Sequence, residues 1–278
     1  MKLLYVTDLH GHHAKYRQIF RIARDLGVDI VVNGGDILPK SGGDLHTVQA
    51  KFFDFLDPHL GEYQEARIRY AAMLGNDDLR IYNEQFDKMC SHYPLVTNLA
   101  QSRLEVDEFD LIGMNWVVDY PFRLKDRCRR DTENYRPDWQ LGTGLLSQPD
   151  GFEDVPDWPA QMRAWPTIEE ELNCLPLPRN PETAIYVIHM PPAGLRLDMC
   201  GSGDTVGSEA IHQFIKHHQP LMTLHGHIHE SPDVSGTWRT ELGQTWCVQP
   251  GQMKRLSYVL IELPEMKMER YQDDLVNS

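Results

Sequence analysis

The sequence has few basic side chains for its size, and this shortage limits what it can bind. Its 278 residues include 27 lysines and arginines against 41 aspartates and glutamates, giving a formal net charge of −14. This charge argues against a protein that holds nucleic acid through many phosphate contacts. It does not argue against a small phosphorylated substrate, because bound divalent cations can reverse the sign of the local charge in a site.

Cysteine pairs and long apolar segments are also missing from the sequence. The five cysteines are scattered and none forms a CxxC pair, which favours a reduced, intracellular setting over a disulfide framework. No apolar run reaches the ~18 residues that a membrane span requires, and the N-terminus enters its first predicted strand without a cationic leader. We therefore expect a cytoplasmic protein that does not enter a membrane.

Apolar, β-branched runs alternate with amphipathic stretches along most of the chain. The amphipathic stretches at 16–26, 48–56 and 208–218 have apolar residues at helical spacing, and the runs between them have the composition of buried strands. This alternation predicts an α/β fold with a parallel core, in which the carboxyl ends of the strands build the functional site. With 41% hydrophobic residues, the chain 1–278 is expected to form a single domain with one insertion.

The predicted insertion covers residues 115–181 and differs in composition from the rest of the chain. It holds nine of the 18 prolines and four of the six tryptophans, which is unsuited to a long regular helix or a central strand. The pattern Thr167-Ile168-Glu169-Glu170 predicts one helix near 167–174 that begins with a capping box. The remainder is expected to be a loop.

Five short groups of metal-binding residue types each follow a predicted strand. In chain order they are Asp8-Leu9-His10, Gly34-Gly35-Asp36, Gly75-Asn76-Asp77, His189, and Gly226-His227-Ile228-His229. In an extended chain the side chains at i and i+2 share a face, so both members of such a pair can turn toward one ion. Loops at strand ends are also where functional residues concentrate.

Each group has an ordinary explanation when it is taken alone. An Asp-x-His pair can be a capping carboxylate beside a surface imidazole, and Gly-Asp and Gly-Asn-Asp are common turn sequences. His189 ends an apolar run and can be a core histidine. Neither turns nor packing explains why all five groups occur once, in order, each behind its own strand. The joint pattern therefore predicts a site for two metal ions.

The ordered groups resemble the motif set of the calcineurin-like metallophosphoesterase superfamily: Asp-x-His, Gly-Asp, Gly-Asn-His-Asp/Glu, His and Gly-His-x-His. The resemblance extends from residue 3 to about residue 251, apart from the insertion. It implies a four-layer α/β/β/α sandwich with the metals at the strand ends. The ligand set that it implies is Asp8, His10 and His229 for the first metal, Asn76, His189 and His227 for the second, and Asp36 as the bridge.

The implied ligands suit a two-metal hydrolase. Carboxylates, an amide oxygen and imidazoles favour Mn²⁺ or Fe, then Zn²⁺ or Ni²⁺, over Ca²⁺. Two cations roughly 3.5–4 Å apart can share a hydroxide that attacks phosphorus in line. We expect a phosphoric ester hydrolase acting on a small substrate, with a phosphodiester such as a cyclic nucleotide favoured over a monoester. The alternatives are a non-catalytic, protein-binding scaffold of the same fold and, less favoured, a nuclease.

The chain departs from the superfamily pattern at Asp77. The superfamily has a histidine there that serves as the general acid or as a phosphate clamp. An aspartate with an ordinary pKa of about 3.9 is ionised at neutral pH and protonates a leaving group poorly. Asp77 and Asn76 are the predicted catalytic residues, and the other candidate acids are His12, His13 and His225.

The insertion supplies the predicted substrate-binding residues. A basic patch in an otherwise acidic protein is formed by Arg123, Lys125, Arg127, Arg129 and Arg130, of which Arg127, Arg129 and Arg130 are the predicted substrate-binding residues. Neighbouring aromatic side chains can stack on a base or ring. The alternative is a solvated loop with structural tryptophans.

Overall fold

Sixteen strands and seven helices are present in the computed structural model, which describes residues 1–136 and 139–276. The strands are β1 (Lys2–Val6), β2 (Ile30–Asn33), β3 (Arg69–Ala72), β4 (Val96–Asn98), β5 (Arg103–Val106), β6 (Phe109–Met114), β7 (Val117–Val118), β8 (Cys128–Arg129), β9 (Gly144–Gln148), β10 (Gly151–Val155), β11 (Ala184–Ile188), β12 (Met222–Leu224), β13 (Arg239–Leu242), β14 (Thr245–Val248), β15 (Leu256–Glu262) and β16 (Lys267–Asp273).

The helices occur between and after these strands. They are α1 (His13–Leu26), α2 (Leu45–Ala66), α3 (Asn83–Ser91), α4 (Trp158–Arg163), α5 (Ile168–Asn173), α6 (Glu209–His218) and α7 (Ser231–Ser235), with short 3-10 turns at Arg80–Tyr82 and Pro181–Thr183. Among the described residues, no helix is both long enough and apolar enough to cross a membrane.

Two six-stranded sheets form the centre of the structure. The first has the order β16-β15-β1-β2-β3-β4, with β1 to β4 parallel to one another and β15 and β16 antiparallel. The second has the order β13-β14-β12-β11-β6-β5, with the four inner strands parallel and an antiparallel strand at each edge. The predicted strand and helix alternation produces this parallel core because a parallel pair requires a crossover connection.

The two sheets pack face to face with helices on both outer sides. Along β1, Leu3 and Tyr5 join a cluster between the sheets, whereas Leu4 and Val6 face α1 and α2 in an outer cluster. The second sheet alternates in the same way, with Ile185 inside and Tyr186 in the cluster that contains α5 and α6. This alternation follows from the two-residue period of a strand. The result is the four-layer α/β/β/α sandwich that the sequence resemblance implied.

The predicted helices are present, with one difference in length. Helices α1 and α6 lie within a few residues of the predicted stretches, and Ser208 caps the N-terminus of α6. Helix α2 is longer than the predicted 48–56 because it continues through Pro58 to Ala66. Leu60 and Tyr63, beyond this proline, are fully buried. Their burial offsets the hydrogen bond that a proline removes from a helix.

The segment 115–181 contains more regular structure than the predicted loop with one helix. The predicted helix is present as α5, and Thr167 and Glu170 form the capping box. The segment also contains helix α4 and two small two-stranded sheets, β7 with β8 and β9 with β10. Strands of two to five residues carry too little periodicity to predict from sequence. The buried Trp158 joins this segment to the cluster that covers the second sheet.

Candidate metal centre

The predicted ligands lie on loops at the carboxyl ends of five parallel strands from both sheets. These loops follow β1, β2, β3, β11 and β12. Four predicted ligands have a left-handed backbone, with φ of 56° at Asp8, 44° at His10, 53° at Asp36 and 68° at His227. Residues other than glycine seldom adopt this conformation, and such residues cluster at functional sites. The local backbone is therefore shaped to aim these side chains inward.

A first group of predicted ligands converges on one point. One ligand atom from each of Asp8, His10, Asp36 and His229 lies within 4.8 Å of the others. The Nε2 atoms of His10 and His229 are 3.0 Å apart, and His229 Nε2 is 3.3 Å from Asp8 Oδ1. This set of two carboxylates and two imidazoles is one that a divalent transition metal accepts.

A second group surrounds the side-chain amide of Asn76. Its Oδ1 atom is 2.9 Å from His189 Nε2 and 2.7 Å from His227 Nδ1. Asp36 Oδ2 is 3.6 Å from His189 Nε2 and 3.8 Å from His10 Nε2, so Asp36 lies between the two groups. The structure therefore brings the side chains of all seven predicted ligands together, with Asp36 between the two groups.

Backbone contacts orient several of these side chains. The Nδ1 atom of His189 is 2.9 Å from the carbonyl oxygen of Gly34, a pairing in which Nδ1–H donates and Nε2 is left as the atom available to a metal. The backbone N–H of Asp77 donates to Asp36 Oδ1 at 2.9 Å. The backbone N–H of His227 is 3.2 Å from both carboxylate oxygens of Asp8. In each of these contacts, the backbone of one loop orients a predicted ligand that lies on another loop.

The motif glycines leave space that the ligands fill. A Cβ atom on Gly75 would lie 2.2 Å from Asp36 Oδ1, and one on Gly226 would lie 2.7 Å from Asp8 Oδ2. Both distances are too short for any side chain to be tolerated without movement. Glycine is therefore required at these two positions by close approach.

Asp78 joins two of the loops and was not singled out from the sequence. Its buried carboxylate accepts hydrogen bonds from the backbone N–H groups of Ile37, Leu38 and Gly75 at 2.7–2.9 Å. The Gly-Asn-Asp-Asp sequence offers a signal only in retrospect, because a second acidic residue in a turn is commonly solvated. Here it fixes the loop that carries Asp36 against the loop that carries Asn76.

Charges in the site favour the ionised forms of Asp8 and Asp36, but they favour the neutral form for only some of the ligand imidazoles. Burial opposes ionisation of Asp36, but the imidazoles of His189 and His10 hold its pKa well below the usual range. Burial is the main cause that lowers the pKa of His10 to about 4 and that of His227 to about 3. Burial also opposes the cationic form of His189, but Asp36 and then Asp8 raise its pKa to about 9. Ionised carboxylates and neutral imidazoles are the forms that ligate metals.

Asp77 lies at the edge of the site rather than among the converging ligand atoms. Its Oδ2 atom is 3.6 Å from Lys40 Nζ and 3.9 Å from His10 Nδ1. Burial, followed by the charge of Asp36, raises the pKa of Asp77 to about 6. The expectation of an ordinary pKa is therefore corrected, because the sequence did not reveal that this carboxyl, 30% exposed, is partly buried beside Asp36.

Two contacts near the site could not be read from the sequence. The ring of Tyr120 lies 5.8 Å from the ring of His227, and its hydroxyl is 3.5 Å from Asn76 Nδ2. Lys40 approaches Asp77 from the loop that follows Asp36. Neither residue belongs to a motif, and both reach the site through loops whose paths depend on the tertiary fold.

The arginines of the predicted basic patch make contacts within the fold. Arg127 is 1% exposed, and its guanidinium donates to the Gly75 carbonyl and to Asn83 Oδ1, each at 2.7 Å. Arg129 stacks 3.6 Å from the ring centroid of Trp116 and pairs with Glu171 at 3.1 Å.

Arg130 lies farther toward the surface, where its guanidinium donates to the carbonyls of Glu133 and Arg163 at 3.3 and 3.4 Å. Substrate binding by the three arginines stays a prediction. The contacts favour a structural role, since Arg127 and Arg129 are buried.

The other candidate acids lie in different surroundings. His225 is buried, and its Nδ1 atom pairs with the carbonyls of Ile188 and Met190, so its environment is structural. His13 stacks on Phe55 with ring centroids 4.1 Å apart, between α1 and α2. His12 is exposed and precedes α1.

Comparison with known proteins agrees with this geometry. The calcineurin-like phosphoesterase family matches residues 1–231. No curated protein matches the sequence at a significant level. The fold is similar to that of the protein TT1561 of Thermus thermophilus, with a TM-score of 0.59, 18% identity and 98% coverage of each chain. It is also similar to a dimetal phosphatase from Danio rerio, with a TM-score of 0.57, 13% identity, and coverage of 100% of this chain and 97% of the other.

Proposed function

Because the chain belongs to the calcineurin-like phosphoesterase family, we propose that it is a two-metal phosphoric ester hydrolase that favours small phosphodiesters. The observation that carries this proposal is the position of Asp36 between two groups of ligand atoms. One group is Asp8, His10 and His229, and the other is Asn76, His189 and His227. With these seven positions filled by residues that ligate metals, the non-catalytic scaffold is the weaker alternative.

The donor set fits two divalent transition metals, with Mn²⁺ or Fe preferred. Bound there, the cations would lower the pKa of water and stabilise the charge that builds on the phosphate oxygens. The chain's own contribution is to hold the ligands rigidly, since the aspartates are ionised and anchored by backbone N–H groups. The carboxylates of Asp8 and Asp36, each 1% exposed, are shielded from bulk water.

Charge near the site supports a diester over a monoester. A phosphomonoester carries close to two negative charges at neutral pH, whereas a diester carries one. The Asp77 carboxyl faces the edge of the site, and Lys40 is half-exposed and pairs with it. A substrate with one negative charge meets less repulsion in such surroundings.

An aromatic row beside the site supports a substrate that contains a ring, such as a cyclic nucleotide. The ring of Tyr120 contacts His227, and the ring of Phe122 lies 5.7 Å from that of Tyr120. Phe122 is 64% exposed and Leu141 is 54% exposed. The backbone N–H of Leu141 donates to Pro121, which places Leu141 beside this row. Exposed apolar side chains that continue from a metal site offer a surface for a base or another planar group.

The first experiment tests the reaction itself. Metal-free protein is loaded in turn with Mn²⁺, Fe²⁺, Ni²⁺ and Mg²⁺ and given bis(p-nitrophenyl) phosphate or p-nitrophenyl phosphate. We expect turnover with at least one transition metal and a higher kcat/KM for the diester. Metal binding without turnover on either ester would favour the scaffold. A higher kcat/KM for the monoester would overturn the diester preference.

The second experiment tests whether the substrate contains a ring that stacks on the aromatic row. Phe122→Ala is compared with the wild type on two diesters that share a p-nitrophenyl leaving group, one carrying a methyl group and the other a thymidine. Loss of one stacking contact, about 1–3 kcal/mol, should raise KM for the thymidine ester alone by roughly 5- to 150-fold. Equal effects on both esters would remove the aromatic row from the proposal. Leu177→Ala, at a surface position 79% exposed, is the control and should leave both KM values unchanged.

We also propose that the protein is cytoplasmic. The five cysteines are all free, and Cys90, Cys128 and Cys247 are buried. Unpaired cysteines are ordinary in a reducing compartment.

A further inference from the structure

Asp77 contacts both groups of ligands, although it is in neither. Its Oδ1 atom accepts a hydrogen bond from Asn76 Nδ2 at 3.1 Å, and its Oδ2 atom lies 3.9 Å from His10 Nδ1. We propose that Asp77 is a positioning residue that orients Asn76 in one metal position and His10 in the other, and that it is not the acid of the reaction. This inference rests on the proposed function, because it concerns the same metal site.

The first contact decides which end of the Asn76 amide faces the site. Only the amide oxygen can ligate a metal, and Oδ1 is the atom directed at His189 and His227. The amide nitrogen then requires an acceptor on the opposite side. Asp77 Oδ1 provides it at 3.1 Å, and the Tyr120 hydroxyl lies farther away at 3.5 Å. Without the Asp77 carboxylate, the flipped orientation of the Asn76 amide, with Nδ2 toward His189 and His227, would be less disfavoured.

The second contact concerns a buried atom of His10. Within residues 1–136 and 139–276, His10 Nδ1 is a buried side-chain nitrogen without a hydrogen-bond partner. His10 Nε2 faces His229, so Nδ1 is the atom that should carry the proton when Nε2 is a ligand. Metal-ligating histidines donate this second N–H to a carboxylate or a carbonyl in most sites. Asp77 Oδ2, at 3.9 Å, needs to approach by about 1 Å to accept it at ordinary hydrogen-bond length.

Lys40 completes the arrangement by offsetting part of the charge of Asp77. Its Nζ atom lies 3.6 Å from Asp77 Oδ2, and its side chain is 42% exposed. An uncompensated carboxylate beside Asp36 would repel both the bridge and a phosphate. With Asn76 on one oxygen and His10 and Lys40 near the other, both oxygens of Asp77 already face partners within the protein.

The test compares Asp77→Asn with the wild type in the full-length protein. Asparagine keeps the shape, but its NH₂ end cannot accept from His10 or Lys40. Mn²⁺ affinity, measured by calorimetric titration of metal-free protein, should fall by about 10- to 100-fold, as for other residues that orient metal ligands. Asp54→Asn, an exposed position on α2, is the matched control and should bind Mn²⁺ like the wild type.

A leaving-group series separates positioning from acid catalysis. At saturating Mn²⁺, kcat of Asp77→Asn should change by the same factor for nitrophenyl and alkyl diesters. Unchanged Mn²⁺ affinity together with a loss confined to the alkyl esters would overturn the proposal and make Asp77 the acid. If circular dichroism shows that Asp77→Asn is unfolded, Asp77→Ser takes its place, with the same expected loss and the same contradicting result.

The experiments distinguish a failure of the proposed function from a failure of the positioning role of Asp77. A wild-type protein that neither binds Mn²⁺ nor hydrolyses an ester contradicts the proposed function. A wild-type protein that does both, with an Asp77 variant that binds Mn²⁺ equally well, contradicts only the positioning role.

Discussion

Replacing Gly75 by alanine should remove metal binding while leaving the fold in place. A Cβ atom at this position would lie 2.2 Å from Asp36 Oδ1 and 2.3 Å from the backbone nitrogen of Asp36. Ordinary contacts of this kind begin at 3.4 Å, so both the side chain and the backbone of Asp36 must move by about 1 Å or more relative to residue 75. Metal-ligand distances tolerate changes of only about 0.2 Å. The bridge would therefore be lost.

The cost to stability should be much smaller than the cost to metal binding. Overpacking at a buried position costs about 1–3 kcal/mol, which corresponds to a fall in Tm of about 2–10 °C for a chain of this size. We expect Mn²⁺ affinity to fall by at least about 100-fold, beyond the range seen for residues that only orient ligands. Both quantities are measured on metal-free protein, by calorimetric titration and by thermal unfolding.

Gly61→Ala is the matched control, because it adds the same methyl group in the interior of helix α2. Its Cβ would meet the Tyr93 ring at 3.5 Å, an ordinary contact. Alanine is favoured over glycine in a helix by about 0.5–1 kcal/mol, so Tm should stay equal or rise. Wild-type Mn²⁺ affinity in Gly75→Ala would refute the argument that close approach at Gly75 sets the position of the bridge.

Three further predictions concern the bridge and the segment 115–181. Asp36→Asn should abolish ester hydrolysis with an unchanged circular dichroism spectrum, and near wild-type turnover would exclude a two-metal mechanism that uses this bridge. Lys125→Met should lower the free energy of unfolding in urea by about 3–5 kcal/mol, because it removes the cationic partner of the fully buried Asp119 side chain; a loss below about 1 kcal/mol would show that the pair is solvated. Arg129→Gln should lower Tm, since it breaks the contact with Glu171, and leave KM for a nucleoside diester unchanged; a raised KM with wild-type Tm would assign Arg129 to substrate binding.

The core of the fold could be predicted because its strands and helices are long enough to show their periodicity. Runs such as 185–188 and stretches such as 208–218 lie within a few residues of β11 and α6. The capping pattern at Thr167 predicted the start of α5 for a local reason, because its hydrogen bonds join residues three apart. The small sheets of 115–181 escaped prediction, since strands as short as Val117–Val118 are defined by a partner and not by a pattern.

The basic patch shows two environments that a sequence alone does not distinguish. Arg127 and Arg129 have the charge expected of a substrate-binding surface, yet both are buried against Gly75 and Trp116. An arginine looks the same in the sequence whether its guanidinium packs on an aromatic ring, donates to a carbonyl or faces a phosphate. Which environment an arginine has depends on whether its side chain is buried by other parts of the folded protein.

By itself, the sequence determined the residue types at the centre and the strands that carry them. Carboxylates, imidazoles and glycines at fixed spacing behind apolar runs are local properties, and the family pattern could be recognised in them. Tertiary structure decided what each residue meets: Asp36 lies between two ligand groups, Asp77 contacts both Asn76 and His10, and Tyr120 reaches His227. These contacts join residues that are distant in the chain. They exist because two sheets pack face to face and bring the ends of five strands to one edge, which no local pattern encodes.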